Sequence, residues 1–553
     1  MESSFPVPGS KARRDSLLKC QAGILVTEDL KQAFEHCRNK VKRLASECRE
    51  GNRKYRDLEF DLLEDKETCL HRLGYNRQSP RYQPDDVRRI TEMVKNPQFF
   101  VDDATASDIC QGKLGDCWFL SALAVVATTT HVINKICVEK DEEVGIYGFI
   151  FWRDSGWAEV IIDDLLFTKI PPWNSLPPGD RAMFRNDKRT YNTRARQGLF
   201  ENLYFAKSKT DNETWVPLIE KAYAKLHGDY ESLEGGFTSE GVEDLTGGVS
   251  TIIYTRDILD TDKFWEEELL NVGKDRLFAC FTPGTTPGAS EKDLTAIDGD
   301  ENQGLISGHA YSIIKAINFN RIRNPWGRKE WSGPWSDGSE QWNEPWTEEL
   351  RKALGDDELR PYKFGDDGEF VQEYTDFLDC WEIIERSRLF NEDWKMSSQW
   401  LAMPPDAHLT PWSLGDLSCK YVATLSQVGI LTIHQVTVDI VSETDASAKE
   451  PKETVIVLAQ RDKRYFKELA GPYLWSMDFV LYRRGDKLPI TRSVHSTLWD
   501  RSVKLEVKLA PGRYIIHVSG CAFRYRSRQF LRIQAGSIRL QTERSSCRSA
   551  KLA

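Results

Sequence analysis

With 553 residues, 40% hydrophobic and 11% aromatic, the chain has room for three to four domains and is too apolar for a disordered polymer. A formal net charge of -10 argues against the basic face of a nucleic-acid binder. Its 12 cysteines form no CxxC pair, so neither a zinc site nor a disulfide framework is suggested, and no stretch approaches the roughly 18–20 apolar residues of a membrane span. With a polar N-terminus that lacks a signal-type apolar core, the expectation is a soluble cytoplasmic or intracellular protein with free thiols and no nucleic-acid partner.

Residues 1–20 read as a disordered lead-in. Within 21–80 a helix follows: Leu30, Phe34, Cys37, Val41, Leu44 and Cys48 recur at steps of three and four, with Thr27 as N-cap and Gly51-Asn52 as terminator. This seam needs a partner, either a neighbouring domain or hairpin or a docking protein. From about 85 to 385 the pattern is mixed. Helical stretches (118–127, 216–225) alternate with strand-like ones (144–152, 158–163, 309–317), as in an α+β or α/β enzyme. Beyond about residue 394 the texture is all-β. Strand-like runs at 430–433, 437–440, 454–458, 503–509 and 513–518, with a turn at Pro511-Gly512, imply a sandwich. Residues 541–553 read as a polar tail.

The chemistry concentrates in Gln111-Gly112-Lys113-Leu114-Gly115-Asp116-Cys117-Trp118. A turn at Gly115 followed by an apolar helix sets Cys117 at a helix N-terminus, where free N–H groups and the dipole favour a thiolate. Gln111 is placed to aim its amide at a developing oxyanion. A buried structural cysteine is the alternative on the local pattern alone. A cysteine nucleophile needs a base and an orienting group. Ser307-Gly308-His309-Ala310 offers His309 on a strand-like run, and Arg323-Asn324-Pro325-Trp326-Gly327 offers Asn324 with an indole to shield it.

These three segments together resemble calpains, the calcium-regulated cysteine endopeptidases of papain-like mechanism. The likeness extends through 215–236, Thr238-Ser239-Glu240-Gly241, Gly368-Glu369-Phe370 and the Gly471-Pro472-Tyr473-Leu474-Trp475 segment, over about 80–535. The resemblance implies an α+β fold: a two-part papain-like core at 81–393, with a Cys-bearing half (about 81–235) and a His/Asn-bearing half (236–393), then a C2-like β-sandwich at 394–540. It implies Cys117 as nucleophile, His309 as general base, Asn324 as its orienter, Gln111 with the Cys117 N–H as oxyanion donors, and Trp326 as shield. The activity implied is limited proteolysis of protein substrates through a thioester acyl-enzyme.

The resemblance also implies two Ca²⁺ ions in the core. Asp108 and Glu220, with carbonyls of Val101 and Asp103, match the first site. Glu330, Asp337, Asp367 and Glu369, with the carbonyl of Gly365, match the second. Asp103 stands where glycine is common. No EF-hand loop follows the sandwich, so a penta-EF-hand domain and its small subunit are not expected. Acidic 443–445 and basic 461–464 and 483–484 offer charges for lipid or interdomain contact, or for a solvated face.

One departure concerns the base. His309 and Asn324 are closer in sequence than is usual in the family. Pairing them across a two-residue hairpin would put the turn at Ala316-Ile317, which lacks turn chemistry, whereas closing at Asn318-Phe319-Asn320 would set His309 opposite Lys329. Either the loop closes irregularly or the copy is impaired and acts as an adaptor. A transglutaminase is a third reading, against which Gly115-Asp116-Cys117 and Asn324 argue.

Overall fold

The computed structural model describes residues 22–71, 81–101, 103–129, 132–153, 156–282, 303–343, 347–355, 362–391, 393–402, 417–418, 421–428, 434–441, 451–462, 464, 473–493 and 501–524. The lead-in at 1–20, the tail at 541–553, the run at 430–433, the acidic 443–445 and Gly471-Pro472 lie outside the described residues.

The first helix, α1 (Glu28–Glu50), starts where Thr27 accepts the Leu30 N–H at 3.0 Å. Its seam has the expected period but is used unevenly. Cys37, Val41, Ala45 and Cys48 are buried against Val144, Ile146 and Ile161, whereas Phe34 and Leu44 are half-buried. The surface beneath is the antiparallel sheet of β1 (Cys137–Asp141), β2 (Ile146–Arg153) and β3 (Gly156–Asp163). The helix thus covers one face of the following region instead of standing free.

The main core surrounds α2 (Cys117–Ala127), with nine of its residues buried from Trp118 to Val126. An 11-residue helix apolar on every side has to sit inside, and three elements enclose it. These include α3 (Trp215–His227) and α4 (Thr238–Thr246). Tyr223 of α3 stacks on Phe119 at 3.8 Å between centroids. The third is a six-stranded antiparallel sheet of β4 (Val249–Tyr254), β5 (Arg276–Phe281), β6 (Tyr311–Ala316), β7 (Phe319–Arg323), β8 (Glu369–Glu373) and β9 (Ile383–Arg388), in the order β8-β7-β6-β5-β9-β4. The Ser121 and Ser312 hydroxyls meet at 2.7 Å where α2 crosses β6.

The sheet-rich C-terminal region has two layers. One sheet runs β10 (Lys395–Ala402), β12 (Tyr421–Val428), β14 (Lys452–Gln460), β17 (Ser502–Leu509). The other runs β11 (Leu417–Ser418), β13 (His434–Val441), β18 (Gly512–Arg524), β15 (Tyr473–Arg483), β16 (Thr491–Arg492). Ile456, Leu458, Val503 and Leu509 of the first pack against Met477, Phe479, Leu481, Tyr514, Ile516 and Val518 of the second. The alternation in β17 predicts one wet face, but that face meets the core: Glu506 accepts from Arg388 at 2.6 Å and also from Arg386. Of the basic stretches, Arg483 and Arg484 are exposed, while Arg464 is buried and bonds Glu240 of α4 at 2.5 Å. Arg501 joins it, bonding Asp244 at 2.6 Å and Glu243 at 2.7 Å. A solvated face does not describe Arg464.

Candidate active site

The segment before α2 is pinned tightly. Gly112 lies so close to the Phe205 backbone that an added Cβ would sit 2.2 Å from its carbonyl, so only glycine fits. The Gln111 amide nitrogen donates to Leu114 O at 2.7 Å, which fixes the side chain inside the loop that delivers Cys117. Its main-chain N–H donates to Pro325 O at 3.0 Å, joining the Cys-bearing segment to the segment after Asn324. Arg323 strengthens that seam by donating to the carbonyls of Ser107 (3.1 Å) and Ile109 (2.8 Å).

His309 lies two residues ahead of β6, not on the strand. Gly308, at φ 72°, turns the chain immediately before it, and ladder pairing begins at Tyr311. The hairpin closes by neither simple route. Ala316 pairs with Asn320 and Lys315 with Arg321, and a bulge between Ile313 and Lys315 shifts the register so that Ser312 pairs with Arg323. The unpaired residue re-aims the strand, as bulges do. The imidazole reaches Asn324 diagonally: Nε2 meets Asn324 Oδ1 at 2.8 Å. Asn324 is itself held by the Trp326 N–H on Oδ1 (3.0 Å) and by donating to Lys329 O (3.0 Å). The Trp326 ring lies 4.7 Å from the imidazole, and both His309 and Asn324 are buried.

The Cys117 sulfur accepts the N–H of Ala310, one peptide beyond His309. With Nε2 taken by Asn324, Nδ1 is the ring nitrogen left for a thiol. Burial pushes the Cys117 thiol up to about 11, against the pull of N–H groups from Ala310, Trp118 and Cys117 itself. Burial pushes His309 down to about 4, with the Asn324 hydrogen bond opposing. The resting pair is therefore thiol and neutral imidazole. The helix start alone suggests a thiolate, but desolvation outweighs the nearby N–H donors here.

The carboxylates regroup. Asp108 accepts from Thr105 N (2.8 Å) and Thr210 Oγ1 (2.8 Å), and the acid beside it is Glu213, which accepts from Val101 N at 3.0 Å. Burial first and Asp108 second push Glu213 up to about 7. Glu220 does not join Asp108. It is buried in mid-α3 against Asp116 and the Ala206 N–H, because the seam of that helix points at the start of α2. The reading that pairs Glu220 with Asp108 is thus corrected to Glu213, whose signal was its place in the polar 211–214 turn just ahead of α3. Asp103 is exposed and adopts φ 149°, a value better suited to glycine than to a residue with a side chain.

In the second group, Glu330 accepts from the N–H groups of Asp367 and Gly368 (both 2.8 Å), and Asp337 from the Gly365 N–H (2.8 Å) and the Tyr362 hydroxyl (2.6 Å). Burial and the acids Asp337 and Asp367 push Glu330 up to about 7, and burial likewise raises Asp337 and Asp367. Glu369 differs. Arg321 (2.8 Å) and Arg323 (2.9 Å) hold its carboxylate and outweigh burial, so it stays below its usual range. The loop carrying Gly365, Asp367 and Glu369 also grips Asn324, the partner of His309, directly, since Gly368 O accepts the Asn324 N–H at 2.7 Å.

Residues 64–387 match the pattern of the calpain family cysteine protease. The chain belongs to the calpain family. It is 30% identical over 512 residues to Calpain-8 of Rattus norvegicus, covering 86% of this chain and 64% of that protein. Calpain-9 of Homo sapiens is 30% identical over 467 residues (78% and 58%), and the Calpain-1 catalytic subunit of Mus musculus 33% over 327 (56% and 39%). The chain thus spans 58% to 64% of the length of the first two relatives. Among the described residues no helix is long and apolar enough to cross a membrane.

Proposed function

We propose that this calpain is a calcium-dependent cysteine endopeptidase that cuts protein substrates at a limited number of sites. The observation that carries the reading is the buried His309–Asn324 bond of 2.8 Å beneath Trp326, with the Cys117 sulfur on the next peptide N–H. Because the resting pair is neutral, His309 Nδ1 takes the thiol proton as the sulfur attacks the scissile carbonyl. The Gln111 amide and the Cys117 N–H stabilise the oxyanion. His309 returns the proton to the leaving amine, and the thioester is hydrolysed by a water that His309 activates. Asn324 keeps the ring turned toward the sulfur, and Trp326 keeps water off the bond between them.

The acid groups suit Ca²⁺, which takes hard oxygen donors from separate loops. Asp108 and Glu213, with carbonyls of Val101 and Asp103, would hold one ion. Glu330, Asp337 and Asp367, with the carbonyl of Gly365, would hold another, and Glu369 would act through Arg321 and Arg323. The elevated Glu213 and Glu330 support this, since each is short of positive charge. Calcium supplies that charge when bound. The C-terminal layers read as a C2-like domain set against the core. Casein cleavage with and without a calcium chelator tests the proposal: it is expected to need calcium and to vanish in Cys117→Ser. Full-rate cleavage under chelation refutes the calcium dependence, and cleavage by Cys117→Ser refutes the nucleophile.

A further inference from the structure

An aspartate at a helix N-cap ordinarily turns its carboxylate onto the N–H groups of the first turn. Asp116, which opens α2, makes no such bond. Its main-chain carbonyl accepts from Phe119 (2.9 Å) and Leu120 (3.1 Å), but its side chain is turned inward. It is 0% exposed, and neither oxygen has a hydrogen-bond donor from another residue among the described residues. What it faces is Glu220, itself 1% exposed. Both Glu220 oxygens share a single donor, the Ala206 N–H, at 3.1 and 3.0 Å. Among the described residues no lysine or arginine acts on either carboxyl, and the titratable groups that feel the pair are Cys117 and Tyr230.

Two facing carboxylates in a dry site with no counter-cation do not both ionise. An O–H···O⁻ bond between them gives Asp116 a partner for one of its orphan oxygens and halves the charge. We propose that Asp116 and Glu220 share one proton and form a positioning pair for Cys117, fixing the Asp116–Cys117 peptide and limiting the charge behind the nucleophile to minus one. The inference rests on the reading of Cys117 as nucleophile and adds what governs its thiol. The directions agree: burial raises both carboxyls, and Asp116 is among the groups that raise Cys117. When the pair gives up its proton at alkaline pH, a second negative charge appears behind the sulfur. That charge opposes the thiolate, and the two acids repel, which loosens the peptide that carries Cys117.

Glu220→Gln tests this in the full chain. Its amide N–H can donate to Asp116 and its oxygen can accept from Ala206, so one charge remains but the titratable proton is gone. Asp116→Asn makes the reciprocal exchange and serves if the first variant folds poorly. The readouts are the pH dependence of Cys117 alkylation by iodoacetamide and the infrared carbonyl stretch of a protonated carboxyl. The wild type is expected to show that stretch at neutral pH and a broad, two-step rise in alkylation. Either variant is expected to lose one carboxyl's share of that stretch in the wild-type-minus-variant difference spectrum, and to alkylate in a single step with a midpoint lower by about one pH unit. Glu220→Ala, which leaves Asp116 stranded, is expected to alkylate at least about tenfold more slowly at neutral pH. An unchanged midpoint in both isosteric variants, or a difference spectrum in which neither variant loses any of the stretch, overturns the proposal. Neither readout needs a peptide substrate. A chain that passes both yet hydrolyses no protein refutes the protease reading and leaves the pair standing.

Discussion

Truncating Asn324 to alanine removes the partner of one buried group, His309 Nε2, and of two half-buried ones, the Trp326 N–H and the Lys329 carbonyl, at 2.8, 3.0 and 3.0 Å from the lost amide. Each orphaned group costs about 1–3 kcal/mol, so the fold loses roughly 3 kcal/mol or more. The rate suffers separately. With Nε2 unbonded the imidazole is free to rotate or to present the wrong tautomer to sulfur, and about 3 kcal/mol of lost transition-state stabilisation corresponds to roughly 10²-fold in kcat/KM. Asn324→Asp restores an acceptor but brings a charge next to a ring that burial holds down to about 4. That variant is expected to raise the imidazole pKa and shift the acidic limb of the rate profile upward. The assay is calcium-activated peptide hydrolysis across pH, with chemical unfolding in parallel. A kcat/KM for Asn324→Ala within threefold of wild type refutes the argument that the bulged hairpin delivers a working base.

Other outcomes follow from the carboxylates and the interdomain ion pairs. Glu213→Gln is expected to raise the calcium needed for half-maximal activity about tenfold or more, measured by calcium titration, whereas Glu220→Gln leaves that requirement nearly unchanged. At pH near 6.5, groups held up to about 7, such as Glu213 and Glu330, are mostly protonated, so calcium binding is expected to release about one proton or slightly more, measured in buffers of different ionisation heat. With calcium chelated, these acids bind more protons folded than unfolded, so their stabilising contribution shrinks as pH rises through 7. His309 and His227, held down to about 4 and about 3, act only below about pH 6.5, where they oppose folding as pH falls. Between about pH 6.5 and about pH 8 the chelated chain is therefore expected to lose stability, read from its melting temperature. Arg501→Met breaks the bonds to Asp244 (2.6 Å) and Glu243 (2.7 Å) and is expected to cost about 3–5 kcal/mol, seen as earlier unfolding in urea.

Much of the fold was legible because it rests on period. The steps of three and four in α1 and the all-apolar run of α2 depend only on neighbours along the chain. The segments bearing Cys117, His309 and Asn324 were likewise visible as local chemistry. What period does not disclose is which element lies across a seam. Glu220 reads as a partner of Asp108 by resemblance, and only the packing of α3 under the start of α2 turns it toward Asp116 instead. Glu213 lies in a polar turn that reads as solvated, yet the structure buries it beside Asp108. The hairpin defied counting because one bulge at Ile314 changes the register without any turn signal to mark it. Arg464 belongs to a basic stretch that reads as surface charge, and its acid on α4 is more than 200 residues away in sequence, as is that of Arg501.

The claim at the centre is that Cys117 is a nucleophile set against His309. The direct test is mass-spectrometric mapping of the adduct left by an epoxide cysteine-protease inhibitor on the full chain in calcium. A single adduct on Cys117, lost in Cys117→Ser and at least tenfold slower in His309→Ala, is the expected result. Labelling spread over other cysteines, or labelling of Cys117 at the same rate without His309, contradicts it.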